Sequence, residues 1–237
     1  FINENFYKNT EIRELFKNNF SENHLIIFGA NTSKKISSID KYYNSMIVSN
    51  NNLGFISKYD KKKLVPFGEF LPFESILNTL GIKKITTGYE SFSRGDGNSL
   101  LKFNFNKKKI KVLPLICYEI IFPSLVEDND KYNFLINISE DAWFGKSIGP
   151  HQHFAKAIFR SIESNVFTLR AANMGVSAFI SPEGKILKNL QPNEIGNIEL
   201  SLPILENEKK EIKNDLIFLS VLITFVIIFL ILRKFKI

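Results

Sequence analysis

Apolar residues come in short runs over most of the chain and fuse into one long run near its end. The short runs predict strands at residues 24–30 (HLIIFGA), 43–49, 54–59, 100–105, 110–116, 133–138 (NFLINI), 166–171, 175–180, 185–190 and 198–202. The strands at 100–105 and 110–116 pair through a turn at 106–109. Helices are predicted at 10–20, 73–80 and 120–127. A longer helix is predicted at 149–165, with Phe154, Ala157, Ile158 and Ile162 near one face. Ser181-Pro182-Glu183-Gly184 reads as a turn. Many strands with interspersed helices imply an α/β fold of layered sheets covered by helices.

The long run, residues 216–232 (LIFLSVLITFVIIFLIL), contains no charge. A helix of that length spans roughly 26 Å, enough for a short membrane crossing. The segment just before it carries Glu206, Glu208, Glu211 and Asp215 among three lysines. Arg233, Lys234 and Lys236 follow it with no acid. That asymmetry places the C-terminus in the cytoplasm and residues 1–210 on the far side of the membrane. The chain opens on Phe1 without a basic-then-apolar leader, so an exported domain would need an upstream segment. The expected organisation is a globular domain at 1–205, incomplete at its N-terminus, then a charged linker at 206–214. A transmembrane helix at 215–233 and a cytoplasmic tail at 234–237 complete it.

Composition narrows the function classes. The chain has 237 residues and a net charge of +7. A single cysteine excludes a disulfide scaffold and a cysteine-rich zinc site. The lysine runs at 61–63, 107–109 and 209–210 lack interleaved aromatics, which argues against a nucleic-acid groove. Solvated loops account for them, with attraction to anionic headgroups as the further option for a membrane-tethered chain.

Three clusters could carry chemistry. Cys117 ends an apolar strand (KVLPLI) just before a predicted helix, whose N-terminal dipole would favour the nucleophilic thiolate. A small buried hydrophobe is the alternative, but polar Tyr118 and Glu119 follow where a core strand would stay apolar. Lys61 lies at a strand end before a Pro- and Gly-punctuated loop containing Glu69. It could supply a fixed positive charge to a developing oxyanion, or be an ordinary loop lysine. In the third cluster, ISEDAWFGKSIGPHQHF, Trp143 is the only tryptophan of the chain. Neighbouring residues Glu140 and Asp141 would point apart, which disfavours a paired acid and base. His151 and His153 do not share a helix face, so no metal site is expected.

Together, Lys61 with LVPFGEF, ICYEIIFP around Cys117, and the DAWFG segment resemble the carbon–nitrogen hydrolase (nitrilase-type) domain of bacterial apolipoprotein N-acyltransferases. The resemblance runs over about residues 20–237. It implies a nitrilase-type α-β-β-α sandwich followed by one C-terminal transmembrane helix. It also implies a Glu-Lys-Cys triad and no cofactor. By this resemblance Cys117 is the nucleophile, Lys61 stabilises the tetrahedral intermediate, and Glu69 is a supporting acid/base. Tyr118, Glu119 and Trp143 are active-site neighbours. The implied reaction is the last step of lipoprotein maturation, at the bacterial inner membrane with the domain in the periplasm. A phospholipid acyl group passes through a Cys thioester to the N-terminal amine of a diacylglyceryl-cysteine lipoprotein. Two departures stand out. Glu140 replaces the family's usual Asn, and the Trp-Pro-Glu-like strand end that bears the triad's general base does not occur. A truncated chain, inactive alone, is therefore expected. A membrane-anchored nitrilase-type amidase, with water as acceptor, is the alternative.

Overall fold

The computed structural model describes residues 9–36, 38–73, 79, 91–97, 99–127, 131–205 and 214–234. The helix expected at 73–80 lies outside the described residues apart from Phe73 and Thr79, and so do most of the 206–214 linker and the 234–237 tail. The chain divides into two units, Phe1–Asn207 and Glu208–Ile237.

The first unit is built on two sheets. Strands β1 (Leu25–Ile36), β2 (Ile39–Asn50) and β3 (Phe55–Asp60) form an antiparallel sheet in that order. Strands β4 (Leu101–Phe105), β5 (Lys108–Ile116), β6 (Phe134–Glu140), β7 (Phe167–Asn173), β8 (Ser177–Ile180) and β9 (Ile186–Leu190) form the other, also in chain order. At its centre β5, β6 and β7 run parallel, with antiparallel hairpins on either side. The helices described in this unit are α1 (Thr10–Asn19), α2 (Ser124–Glu127) and α3 (Gly149–Ser164).

Two apolar layers hold the unit together. Met46, Val48 and Tyr59 of the first sheet meet Leu101, Ile110, Val112 and Ile116 of the second. On the far face of the second sheet, Leu113, Leu115, Leu135 and Ile180 pack under Phe154 and Ala157 of α3. This is the layered α/β arrangement expected from the strand pattern.

Several elements differ from the sequence expectation, each for a local reason. β1 and β2 extend to twelve residues apiece. Their polar ends (NTSKK against DKYYN) look like loop, but they continue the ladder to a turn at Ser38, where φ is 68°. The β4–β5 turn is only Asn106 and Lys107, both at positive φ, as a tight hairpin demands. The helix expected at 120–127 is split. Pro123 has no N–H and forces Phe122 into extended backbone, separating a 3-10 turn, Cys117–Ile121, from α2. Residues 198–202 form no strand. The Glu199 carbonyl there accepts from Lys188 Nζ at 2.6 Å. On α3, Ile162 is exposed, and the buried face includes His153, Arg160, Ser161 and Ser164. Asn165 ends α3 in the left-handed conformation.

The second unit contains helix α4 (Asn214–Lys234). Its 21 residues span about 31 Å. It is long and apolar enough to cross a membrane, and its side chains from Leu216 to Lys234 are exposed all round.

Candidate active site

The parallel strands β5, β6 and β7 deliver their C-terminal ends to one edge of the sheet, where ligand sites in such sheets form. Cys117 comes directly after the last residue of β5. It is half-buried against the inter-sheet core, and its φ of 49° is in the left-handed region that a side-chain-bearing residue rarely adopts. Cys117–Ile121 form a single five-residue 3-10 turn rather than a helix. So short a turn sums few peptide dipoles, and it lends the thiol little of the helix-dipole support expected from the sequence.

Glu119 ties this turn to the neighbouring sheet. Its side chain is fully buried and accepts four hydrogen bonds. Oε2 accepts from the Ile116 amide at 2.9 Å. Oε1 accepts from Tyr59 Oη at 2.8 Å, from the Lys62 amide at 2.7 Å and from the Lys63 amide at 3.0 Å. Burial pushes the Glu119 carboxyl above its ordinary pKa, and the four donors only partly reverse that. Burial, then the Glu119 charge, raises the Tyr59 phenol too. Glu119 therefore joins the end of β5 to the loop after β3, which begins with Lys61.

Lys61 is 1% exposed. Its amide donates to the Asn44 carbonyl at 2.8 Å, and its carbonyl accepts from the Gly95 amide at 2.9 Å. A Cβ at Gly95 would come within 2.1 Å of the Asp60 carbonyl oxygen, so only glycine permits this approach. Lys61 Nζ donates to Glu69 Oε1 at 2.8 Å. Glu69 also accepts from Asn44 Nδ2 at 2.9 Å and, through Oε2, from the Val65 amide at 2.9 Å. The Lys–Glu pair read from the PFGE loop is thus a direct ion pair. Asn44, which the sequence reading passed over, orients it.

The residues after β6 diverge. Glu140 is exposed; it caps the 3-10 turn Asp141–Phe144 through the Ala142 amide at 3.1 Å and accepts from Asn173 at 2.7 Å. Asp141 is fully buried and accepts from Ser139 at 2.6 Å and from Arg170 Nη2 at 2.6 Å. Its Oδ1 lies 2.9 Å from His153 Nδ1. Burial alone would raise the Asp141 pKa, but the His153 hydrogen bond and the Arg170 charge outweigh it and hold the carboxyl below the usual range. Burial lowers the Arg170 pKa, and the charge and hydrogen bond of Asp141 act against that fall. Arg170 also donates to Asn137 Oδ1 and, at 3.1 Å, to the Val176 carbonyl.

Of the six residues singled out from sequence, Lys61 and Glu69 touch directly, and Glu119 links their loop to Cys117. Tyr118 is half-buried and packs edge-on against Phe122 at 5.0 Å. Trp143 is 64% exposed on the 3-10 turn that begins with Asp141. The sequence reading missed the roles of Asp141, His153, Arg170 and Asn137. For Asn137 and Arg170 the signal was a polar side chain in mid-strand, as in NFLINI and FTLRAAN; Asp141, on a 3-10 turn, and His153, on α3, carried no such signal.

Comparisons with known proteins bear on the family and the fold. Curated relatives include the apolipoprotein N-acyltransferases of Rickettsia prowazekii, 39% identical over 180 residues, and of Caulobacter vibrioides, 33% identical over 207 residues. These alignments cover 76% and 85% of this chain but only 35% and 38% of the relatives. The chain spans about a third of the length of the curated relatives it matches. Among solved structures, an amidase from Nesterenkonia sp. AN1 superposes with a TM-score of 0.54 at 13% identity, covering 86% of this chain and 71% of that one. A nitrilase-superfamily protein from Saccharomyces cerevisiae gives 0.52 at 20% identity, covering 81% and 68%. The fold is therefore the nitrilase-type sandwich. The sequence profile of the carbon–nitrogen hydrolases matches residues 7–204, from ahead of α1 to beyond β9, and the chain belongs to the carbon–nitrogen hydrolase family.

Proposed function

We propose that this chain is the catalytic part of an apolipoprotein N-acyltransferase, with Cys117 as nucleophile. The observation that carries the reading is the coupling of a strained cysteine, through Glu119, to a loop holding the buried Lys61–Glu69 pair. The name shared by the curated relatives supports acyl transfer to a lipoprotein as the class of reaction. The Cys117 thiolate attacks the ester carbonyl carbon of a membrane phospholipid. Lys61 offsets the charge on the tetrahedral oxygen. The C–O bond breaks, and the lysophospholipid alkoxide leaves with a proton, leaving an acyl thioester. The amine of a diacylglyceryl-cysteine lipoprotein then attacks the thioester. The C–S bond breaks, the amine gives up a proton, and the thiolate returns. Glu69, held against Lys61, is the supporting acid/base group for these proton transfers. Tyr118, Glu119 and Trp143 flank the reacting groups.

The helix α4 supports a membrane setting in which both substrates are lipids. The reading places it in the bacterial inner membrane, with the domain in the periplasm and Arg233 and Lys234 on the cytoplasmic side. The test is acyl transfer by the full-length protein in membranes. A labelled phospholipid acyl group should appear on the amine of a diacylglyceryl-cysteine peptide. Release of free fatty acid or ammonia with no acylated peptide would favour an amidase-type hydrolase instead.

A further inference from the structure

The buried groups behind Cys117 form a continuous chain on the opposite side from the Lys61 loop. The Cys117 carbonyl can only accept a hydrogen bond, and His153 Nε2 lies 3.1 Å from it, so Nε2 carries a proton there. His153 Nδ1 faces Asp141 Oδ1 at 2.9 Å, with Arg170 Nη2 at 3.3 Å. Arg170 in turn holds Asp141 Oδ2 and Asn137. Asn137 Nδ2 reaches the Leu115 carbonyl at 2.8 Å, inside the strand that ends at Cys117. His153, Asp141, Arg170 and Asn137 are all buried. The chain thus starts and ends on the Cys117 segment, and its contact with the left-handed residue itself is made by His153.

We infer that His153, oriented by Asp141 and Arg170, is a positioning residue that holds the Cys117 carbonyl and so fixes how the thiol is presented. A left-handed residue with a side chain relaxes toward ordinary backbone unless its surroundings over-determine it. A donor on its carbonyl from a buried partner, itself held by Asp141, is such a restraint. The inference rests on Cys117 being the reacting group of the proposed function. It concerns the backbone of that residue rather than the substrates.

The experiment compares His153→Gln with His153→Asn in the full-length protein in its membrane. The Gln amide nitrogen falls near Nε2 and can still donate to the Cys117 carbonyl. The Asn amide falls near Nδ1 and keeps only the Asp141 side. The readout is the rate of Cys117 alkylation by iodoacetamide across pH, resolved at the Cys117 peptide by mass spectrometry, alongside thermal unfolding. The inference expects His153→Gln to react within about threefold of wild type and His153→Asn at least tenfold more slowly, at similar melting temperatures. Equal rates in the two variants, or a wild-type rate in His153→Asn, would overturn it. If both variants fail to fold, Asp141→Asn decides. Released from its orienter, His153 should present Cys117 less well, with alkylation slowed threefold or more; an unchanged rate would overturn the inference. Alkylation needs neither phospholipid nor lipoprotein, so failure of the acyl-transfer reading and failure of this inference are read separately.

Discussion

At the scale of single residues, adjacent side chains in this site have opposite fates. Glu140 faces solvent and Asp141 is sealed among Ser139, His153 and Arg170. The fate of Asp141 gives it a pH signature. A carboxyl whose folded pKa is depressed stabilises the fold above its unfolded pKa of roughly 3.9. That contribution drains away as pH falls through the folded value. Urea-unfolding free energies of the wild type should therefore decline below about pH 5 with a component from this group. Asp141→Asn should lose that part of the acid slope and be less stable at neutral pH. Identical acid slopes in the two proteins would contradict the placement of the charge.

At the scale of elements, the site depends on how β5 and the loop after β3 are joined. Glu119 does this with one buried carboxyl that accepts from both. Replacing it with Gln keeps one acceptor oxygen for the Lys62 and Lys63 amides. The new amide nitrogen then faces the Ile116 N–H, donor against donor. A buried donor left without an acceptor costs about 1–3 kcal/mol. Glu119→Gln should lower the stability of the domain by that amount, measured by chemical unfolding. An unchanged midpoint would show that the two elements are held by other contacts. Much of this level was legible in the sequence. Apolar runs located each of the described strands β1 to β9, and the punctuation around Lys61 and Cys117 marked both site loops. What failed were boundaries set by pairing or by single residues. The polar ends of β1 and β2 pair with each other up to the Ser38 turn, so backbone hydrogen bonding rather than apolar pattern sets their length. Pro123 cuts a helix that periodicity would have continued. The His153–Asp141–Arg170 chain was hidden because its members come from three elements, and only the parallel register of β6 and β7 aligns them.

At the scale of the whole molecule, the chain combines a soluble-type sandwich and an apolar helix, and the proposed chemistry requires both. A thiol in a sandwich can form an acyl-enzyme with any ester that reaches it; a membrane-spanning helix biases that ester toward a lipid. The charge asymmetry about α4 predicts that protease added outside the inner membrane digests the domain and spares a C-terminal tag. A protected domain with an exposed tag would reverse the orientation. The central claim is that Cys117 accepts the acyl group, and one measurement addresses it most directly. The full-length protein is incubated with phospholipid in the absence of lipoprotein, then digested, and the Cys117 peptide is weighed. The account predicts a mass increase of one acyl chain on Cys117, removed by hydroxylamine and absent from Cys117→Ser. An unmodified Cys117, or a hydroxylamine-labile acyl group on another residue, would contradict it.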